Sequence, residues 1–182
     1  MRASPSRAGL RAGLLVVPLL LAGCAGADAA TSPGASPGTA ETQPSATAAM
    51  VCGDDVVGDV SRALALPEPP ATTATWADPL FTCDYDLPMG PLVLSVQDSP
   101  DPDAAAGYFD GRQGELGGTP AAGLGERAFA TPTGTVVVVK DAMTLTVDAT
   151  GLPEVFGDNG QRRSAFAYEV ASIVLGCWTG HE

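Results

Sequence analysis

The chain has 182 residues, 21 of them acidic and nine basic, and its formal net charge is −12 at pH 7. A protein that binds nucleic acid needs a basic stripe to displace counterions from the phosphates, so this composition excludes a nucleic-acid partner. The sequence also lacks a nucleotide-binding fingerprint and any Cys/His spacing typical of a metal site, and no cofactor is predicted.

The first 24 residues have the layout of an export signal. Arg2, Arg7 and Arg11 are the only charges in this segment, and the apolar run 12–22 follows them. A membrane-spanning helix needs about 20 apolar residues, roughly twice the length of this run. The run ends in Leu-Ala-Gly-Cys, at residues 21–24.

This ending is a lipobox, and the segment resembles the leaders of bacterial lipoproteins. The resemblance implies that residues 1–23 are a signal peptide and that a diacylglycerol is attached to the thiol of Cys24. It also implies a lipid-anchored protein on the extracytoplasmic face of the cell membrane. The sequence has no second apolar stretch of spanning length, so the lipid would be the sole anchor. A plain secretory signal or an uncleaved anchor is the alternative.

A tether and one folded domain are predicted to follow. Residues 24–49 consist almost wholly of Ala, Thr, Ser, Pro and Gly, a composition that favours disorder and a reach of about 25–30 Å. Residues 50–182 are enough for a single domain with a hydrophobic core. This predicted domain holds six basic and 19 acidic residues, a formal charge of −13. An anionic lipid surface would repel it, so the lipid would carry the membrane attachment.

Hydrophobic periodicity predicts a helix and a hairpin in the first half of the domain. The helix has Val56 and Val60 on its apolar face and ends at a proline-rich segment. A loop that contains Trp76 follows. Apolar and polar residues then alternate over 81–87 and again over 92–96, which predicts two antiparallel strands.

The second half is predicted to contain two helices and three strands. One helix begins at Asp101 and ends at Leu116, and the last helix covers 161–177. The three strands lie between them, at 127–131, 135–140 and 143–148. The order α-ββ-α-βββ-α predicts an α+β domain, with three helices packed on an antiparallel sheet of about five strands.

Four segments of the domain carry a second resemblance. They are CDYDLPMGPLVLSV, GLGERAFA, VVVVKDAMTLTVDATGLP and VLGCWTG. The segments resemble small secreted lipoproteins of actinobacteria that have no assigned function. The resemblance covers most of residues 50–180 and implies no catalytic or ligand-binding residue.

Three cysteines remain in the predicted domain: Cys52, Cys83 and Cys177. An exported protein normally pairs its thiols, and an odd number leaves one over. Cys52 opens the first predicted helix and Cys83 points inward from the first predicted strand, so a Cys52–Cys83 disulfide is favoured. Cys177 would then be a small buried apolar residue. A pairing that uses Cys177 is the alternative, and a metal site is less favoured than either.

No catalytic residue is assigned from the sequence. The one histidine, His181, lies next to the C-terminal residue, where a rigidly held base is not expected.

Two acidic groups have competing interpretations. Asp98, Asp101 and Asp103 have the oxygen chemistry of a Ca²⁺ site, but capping of a helix by Asp101 explains these residues more simply. Asp84 and Asp86 lie on one face of a predicted strand, as paired catalytic carboxylates would. The outer face of a half-exposed sheet produces the same spacing and is the favoured interpretation.

The aromatic residues Trp76, Tyr85, Tyr108 and Trp178 are expected in the core, with a binding pocket as the alternative. The sequence thus favours a non-catalytic binding or accessory domain whose partner is an envelope protein or a small ligand. An envelope hydrolase that uses carboxylates is the alternative. Acidic residues that converge in an apolar cleft would favour the hydrolase, and an open acidic surface would favour the binding domain.

Overall fold

A computed structural model of the chain describes residues 43–157 and 159–179. Four features of the sequence analysis lie outside the described residues: the predicted signal peptide 1–23, the predicted lipidation site Cys24, most of the predicted tether, and His181.

The described residues form four α-helices and nine strands. The helices are α1 (Ala46–Ala49), α2 (Asp54–Ala63), α3 (Pro102–Leu116) and α4 (Arg163–Thr179), with a 3-10 turn at Met50–Cys52 between α1 and α2. The strands are β1 (Ala71–Ala77), β2 (Leu80–Leu87), β3 (Gly90–Asp98), β4 (Thr119–Pro120), β5 (Arg127–Ala130), β6 (Thr135–Lys140), β7 (Met143–Asp148), β8 (Val155–Phe156) and β9 (Gln161–Arg162).

Seven strands form one sheet in the order β1-β2-β3-β7-β6-β5-β4, and every neighbouring pair is antiparallel. Strands β8 and β9 form a separate short hairpin. The predicted α+β class and antiparallel sheet are confirmed, but the predicted count of about five strands is wrong. The strands that the prediction missed in the sheet are β1 and β4, the two edge strands.

The larger core lies between one face of the sheet and helices α1, α2 and α4. Helix α4 buries residues spaced four apart, Phe166, Val170 and Val174, because this spacing returns to the same helix face. We call the sheet face beneath these helices the core face. No helix within the described ranges is long and apolar enough to cross a membrane.

A smaller core lies on the opposite face, where α3 covers β5 and β6. Phe109 of α3 packs edge-on against Phe129 of β5, with ring centroids 5.3 Å apart. Strand β6 is apolar on both faces because α4 covers one face and α3 covers the other. Val137 and Val139 accordingly face α3, whereas Val138 faces the larger core.

The folded domain extends into the segment predicted as tether. The hydroxyl of Ser45 accepts a hydrogen bond from the backbone N–H of Ala48 and so caps α1. The backbone N–H of Ser45 donates to a carboxylate oxygen of Asp98 at 3.0 Å, and Ala48 is fully buried. The N-terminal boundary of the domain therefore lies at Ser45 or earlier, rather than at residue 50.

Candidate functional site

The cysteine pairing predicted from the sequence is confirmed. Cys52 and Cys83 form a disulfide, with their Cα atoms 5.5 Å apart. Cys177 is a free thiol that packs, half-buried, against the larger core. Burial raises the pKa of the Cys177 thiol, and the nearby carboxylates of Asp59 and Asp55 raise it further. The thiolate form that reacts with electrophiles is therefore disfavoured at neutral pH.

The acidic group at the start of α3 is used for capping and for attachment of the N-terminal segment. Asp101 accepts a hydrogen bond from the backbone N–H of Ala104 at 2.8 Å, which confirms the predicted cap. Asp98 accepts its bond from Ser45 instead. Across residues 43–157 and 159–179, no three His, Cys, Asp or Glu residues are grouped as a metal site requires.

Two of the four aromatic candidates are core residues. Tyr85 is fully buried, and its hydroxyl donates to the backbone carbonyl of Val51; Trp178 is 4% exposed. Burial raises the pKa of the Tyr85 phenol, and Cys177 contributes to the same shift. Tyr108 is half-buried on α3. Trp76 is half-buried: it packs against the larger core, as expected, and it also lines a surface cleft.

One half of the second sheet face is not covered by a helix. Helix α3 lies over β6 and β7 on this face, and no helix among the described residues packs over the same face of β1, β2 and β3. We call this surface the open face; it consists of Thr73, Thr75, Thr82, Asp84, Asp86, Val93, Ser95 and Gln97.

The strand register determines which side chains are neighbours on the open face. In one row Asp84 is paired with Val93, which is paired in turn with Asp148 of β7. In the next row Thr82 is paired with Ser95, so hydroxyls lie beside the carboxylates. Asp84 and Asp86 are exposed and form no ion pair with any described residue. Their favoured interpretation as residues of a solvated outer face is confirmed.

The charge of this half of the sheet has one sign. Between Ala71 and Asp98 the sequence contains four aspartates and no lysine or arginine. The basic residues of the domain lie elsewhere, and several of them pair with acids: Arg62 with Asp59, and Arg127 with Asp110. Two of the four aspartates, Asp84 and Asp86, lie on the open face, which is therefore an acidic surface that suits a cationic partner.

A cleft lies at the end of β1. It has a volume of about 360 Å³. We call it the Trp76 cleft; it is lined by Gln43, Ser45, Trp76, Asp78, Pro79, Asp98, Ser99 and Pro100. An indole ring with two carboxylates suits a cation or a ligand rich in hydroxyl groups.

Sequence reasoning did not find this cleft because its residues are distant in the chain. Asp78 and Asp98 are 20 residues apart, and the pairing of β2 with β3 brings their segments together. The contact is direct, since the backbone N–H of Asp98 donates to the carbonyl of Pro79 at 2.9 Å. No local spacing in the sequence marks such a site.

Comparisons with known proteins found no relative of this chain. No protein-family model, no curated protein and no solved structure matches the chain.

Proposed function

We propose that this protein is a lipoprotein of the extracytoplasmic face of the cell membrane, anchored by lipid on Cys24. Its folded domain binds an envelope protein or a small ligand and does not catalyse a reaction. The lipobox at residues 21–24 supports the anchor. The open face and the Trp76 cleft support the binding role.

The observation that carries the binding role is the uncovered half of the sheet. In a two-layer domain, one face of the sheet packs against helices and the other face is in contact with water. Here helix α3 packs on this second face over β5, β6 and β7, and the same face of β1, β2 and β3 has no such cover among the described residues. The uncovered part combines the exposed carboxylates of Asp84 and Asp86 with the hydroxyls of neighbouring threonines and a serine. Such a surface offers charge complementarity and hydrogen bonds to a partner that arrives from solution.

Metabolic labelling with a fatty acid tests the anchor. The wild-type protein should incorporate the label, the Cys24→Ala variant should not, and Cys177→Ala should incorporate it as the wild type does. Cys177→Ala is the matched control because it removes a cysteine that the lipobox does not contain. Labelling of the Cys24→Ala variant, or an unlabelled wild type, would refute the lipid anchor.

Site-specific photocrosslinking on intact cells tests the binding surface. A photoreactive residue at Thr75 on the open face should give a discrete adduct. The same residue at Glu115, which is exposed on α3, should give none. Equal adducts at both positions would contradict a binding surface on β1–β3.

A carboxylate-dependent envelope hydrolase is the second candidate, and one observation favours it. Asp78 and Asp98 line the same cleft, beside the apolar surfaces of Trp76 and Pro79. Against it, one oxygen of Asp98 already accepts the structural bond from Ser45, and Asp78 is exposed. Turnover of peptidoglycan fragments, esters or phosphoesters that Asp78→Asn abolishes, with the fold retained by circular dichroism, would establish the hydrolase instead.

A further inference from the structure

We propose that the outer edge of β1 accepts an extended basic segment of a partner protein as an additional strand, antiparallel to β1. This inference rests on the proposed binding function and specifies the chemistry of the partner. It follows from three features of β1: its free edge, the direction of its backbone groups, and the charge beside it.

The two edges of the sheet differ in how they are protected. The edge strand β4 has two residues, one of them proline, and such a strand offers little to pair with. The edge strand β1 has seven residues, Ala-Thr-Thr-Ala-Thr-Trp-Ala, without a charge or a proline, and five of the seven are exposed. Among the described residues, no strand pairs with its outer side. Long uncharged edges of this kind are the ones that accept a further strand.

The register fixes which backbone groups of β1 face outward. Along a strand that has an antiparallel neighbour on each side, residues whose backbone groups bond to one neighbour alternate with residues whose backbone groups bond to the other. The bond from Asp98 to the carbonyl of Pro79 shows that odd-numbered residues of β2 bond to β3. The even-numbered residues of β2 therefore bond to the odd-numbered residues of β1. The bond from Ser99 to the carbonyl of Ala142 fits the same alternation across β3 and β7.

Three residues of β1 are left to bond outward: Thr72, Ala74 and Trp76. Each presents one N–H and one carbonyl to the free edge, which gives an incoming strand three donors and three acceptors. The side chains of these residues point to the core face, as shown by the pairing of Trp76 with Phe81. In an antiparallel partner strand, the residues whose backbone groups bond to these three would also have their side chains on the core face.

The alternate side chains of the incoming strand would lie on the open face. There Ala71, Thr73 and Thr75 are short, so they leave a path across β1 to the carboxylates of Asp84 and Asp86 on β2. Lysine or arginine has the length to cross a strand while its charge stays in water. The acidic charge of β1–β3 therefore selects a segment with basic residues at alternate positions.

The Trp76 cleft adds a second place for positive charge. It adjoins the C-terminal end of β1, where an antiparallel partner strand would begin. Asp78, Asp98 and the indole of Trp76 line this position, and a cation is favoured by both the carboxylates and the ring.

A peptide with selective N-methylation tests the pairing. The probe is a capped heptapeptide of alternating lysine and valine, with lysine at both ends, and the protein is the chain from residue 24 with Cys24→Ser. In the proposed antiparallel register the valine N–H groups bond to β1 and the lysine N–H groups point away. N-methylation of the valines should abolish binding in fluorescence anisotropy, and N-methylation of the interior lysines should leave the affinity within about threefold.

Protein variants test the two contributions separately. Asp84→Asn combined with Asp86→Asn should weaken peptide binding by about three- to tenfold at low salt, whereas Asp103→Asn, on α3, should leave it unchanged. Ala74→Pro should abolish binding, because it removes an outward N–H at the centre of the edge. If Ala74→Pro does not fold, the N-methylated peptides still decide the question.

Several outcomes would overturn the inference. Equal binding of both N-methylated peptides, no binding of any peptide, or equal binding of a glutamate–valine peptide would each do so. A dimer in sedimentation equilibrium that Ala74→Pro dissociates would assign the edge to a second copy. Binding that appears only after deletion of residues 24–42 would assign it to the chain's own N-terminal segment. In all these cases a Thr75-specific crosslink on cells to a protein other than this chain would keep the proposed binding function, and the absence of such an adduct would remove that function separately.

Discussion

The phenol of Tyr85 donates a hydrogen bond to the backbone carbonyl of Val51, the residue that precedes the bridged Cys52. Tyr85 and Val51 are both fully buried. Strand β2 is thus attached to the 3-10 turn twice, by the disulfide at Cys83 and by this hydrogen bond two residues later. The turn carries α1 on one side and α2 on the other, so the two attachments hold the N-terminal helices on the sheet.

Tyr85→Phe should lower the free energy of unfolding by about 1–3 kcal/mol, because it leaves the buried carbonyl of Val51 without its donor. Urea unfolding measures the loss. Tyr168→Phe is the matched control, since the Tyr168 hydroxyl also donates to a carbonyl, that of Ala122, but at an exposed position. The control should lose less than about 1 kcal/mol, and equal losses would contradict this account.

The disulfide should contribute more than the hydrogen bond. Its cysteines are 31 residues apart, and closure of such a loop stabilises the fold by about 3–4 kcal/mol in the chain-entropy model. Cys52→Ala with Cys83→Ala should lower the urea midpoint and make it insensitive to reductant. Cys177→Ser should leave the effect of reductant intact. A reductant effect that disappears in Cys177→Ser would mean that the bridge uses Cys177.

Elements with a buried face could be predicted from the sequence, and β1 could not. Burial of one face leaves alternating apolar residues in β2 and β3, and burial of both faces leaves the apolar run in β6. Strand β1 lies at an edge with most of its side chains in water, so no apolar period forms. Its one signal is composition, three threonines and a tryptophan in seven residues, which β-propensity favours.

The N-terminal boundary and the cleft depend on packing between distant segments. Ser45–Ala49 has the small-residue composition of a linker, but Ala48 is small enough to fill a fully buried position. Composition does not distinguish these two uses of alanine. The Trp76 cleft likewise requires the sheet register that brings Asp98 to Pro79.

The same substitution should have opposite effects at two glycines. Gly90 has φ +135°, and a Cβ there would lie 2.4 Å from the carbonyl oxygen of Gly151, so Gly90→Ala should destabilise by at least about 2 kcal/mol. Gly107 lies in α3 with no atom within 4 Å of such a Cβ, so Gly107→Ala should stabilise by about 0.5–1 kcal/mol. Thermal unfolding measures both, and a stabilised Gly90→Ala would refute the close approach of Gly90 and Gly151.

Stability should fall at alkaline pH because two weak acids, the buried Tyr85 phenol and the half-buried Cys177 thiol, hold their protons more tightly in the folded state. The pKa of the Cys177 thiol is raised above its ordinary value of 9.0, chiefly by burial. The pKa of the Tyr85 phenol is raised above its ordinary value of 10.0 for the same reason. The unfolded chain therefore releases these protons first as the pH rises. Their contribution to stability is complete below about pH 8 and is lost progressively above each ordinary pKa.

Urea midpoints at about pH 7, 9.5 and 10.5 separate the two groups. The wild type should lose stability between about pH 7 and 9.5, and Cys177→Ser should reduce that loss because it removes the thiol titration. Tyr85→Phe should start from a lower stability but lose less between about pH 9.5 and 10.5, because it has no phenol at that position to titrate. Tyr168→Phe should keep the wild-type slope, since it leaves the buried phenol and thiol in place. A Cys177→Ser variant as alkali-sensitive as the wild type would show that the thiol titrates alike in the folded and unfolded chain.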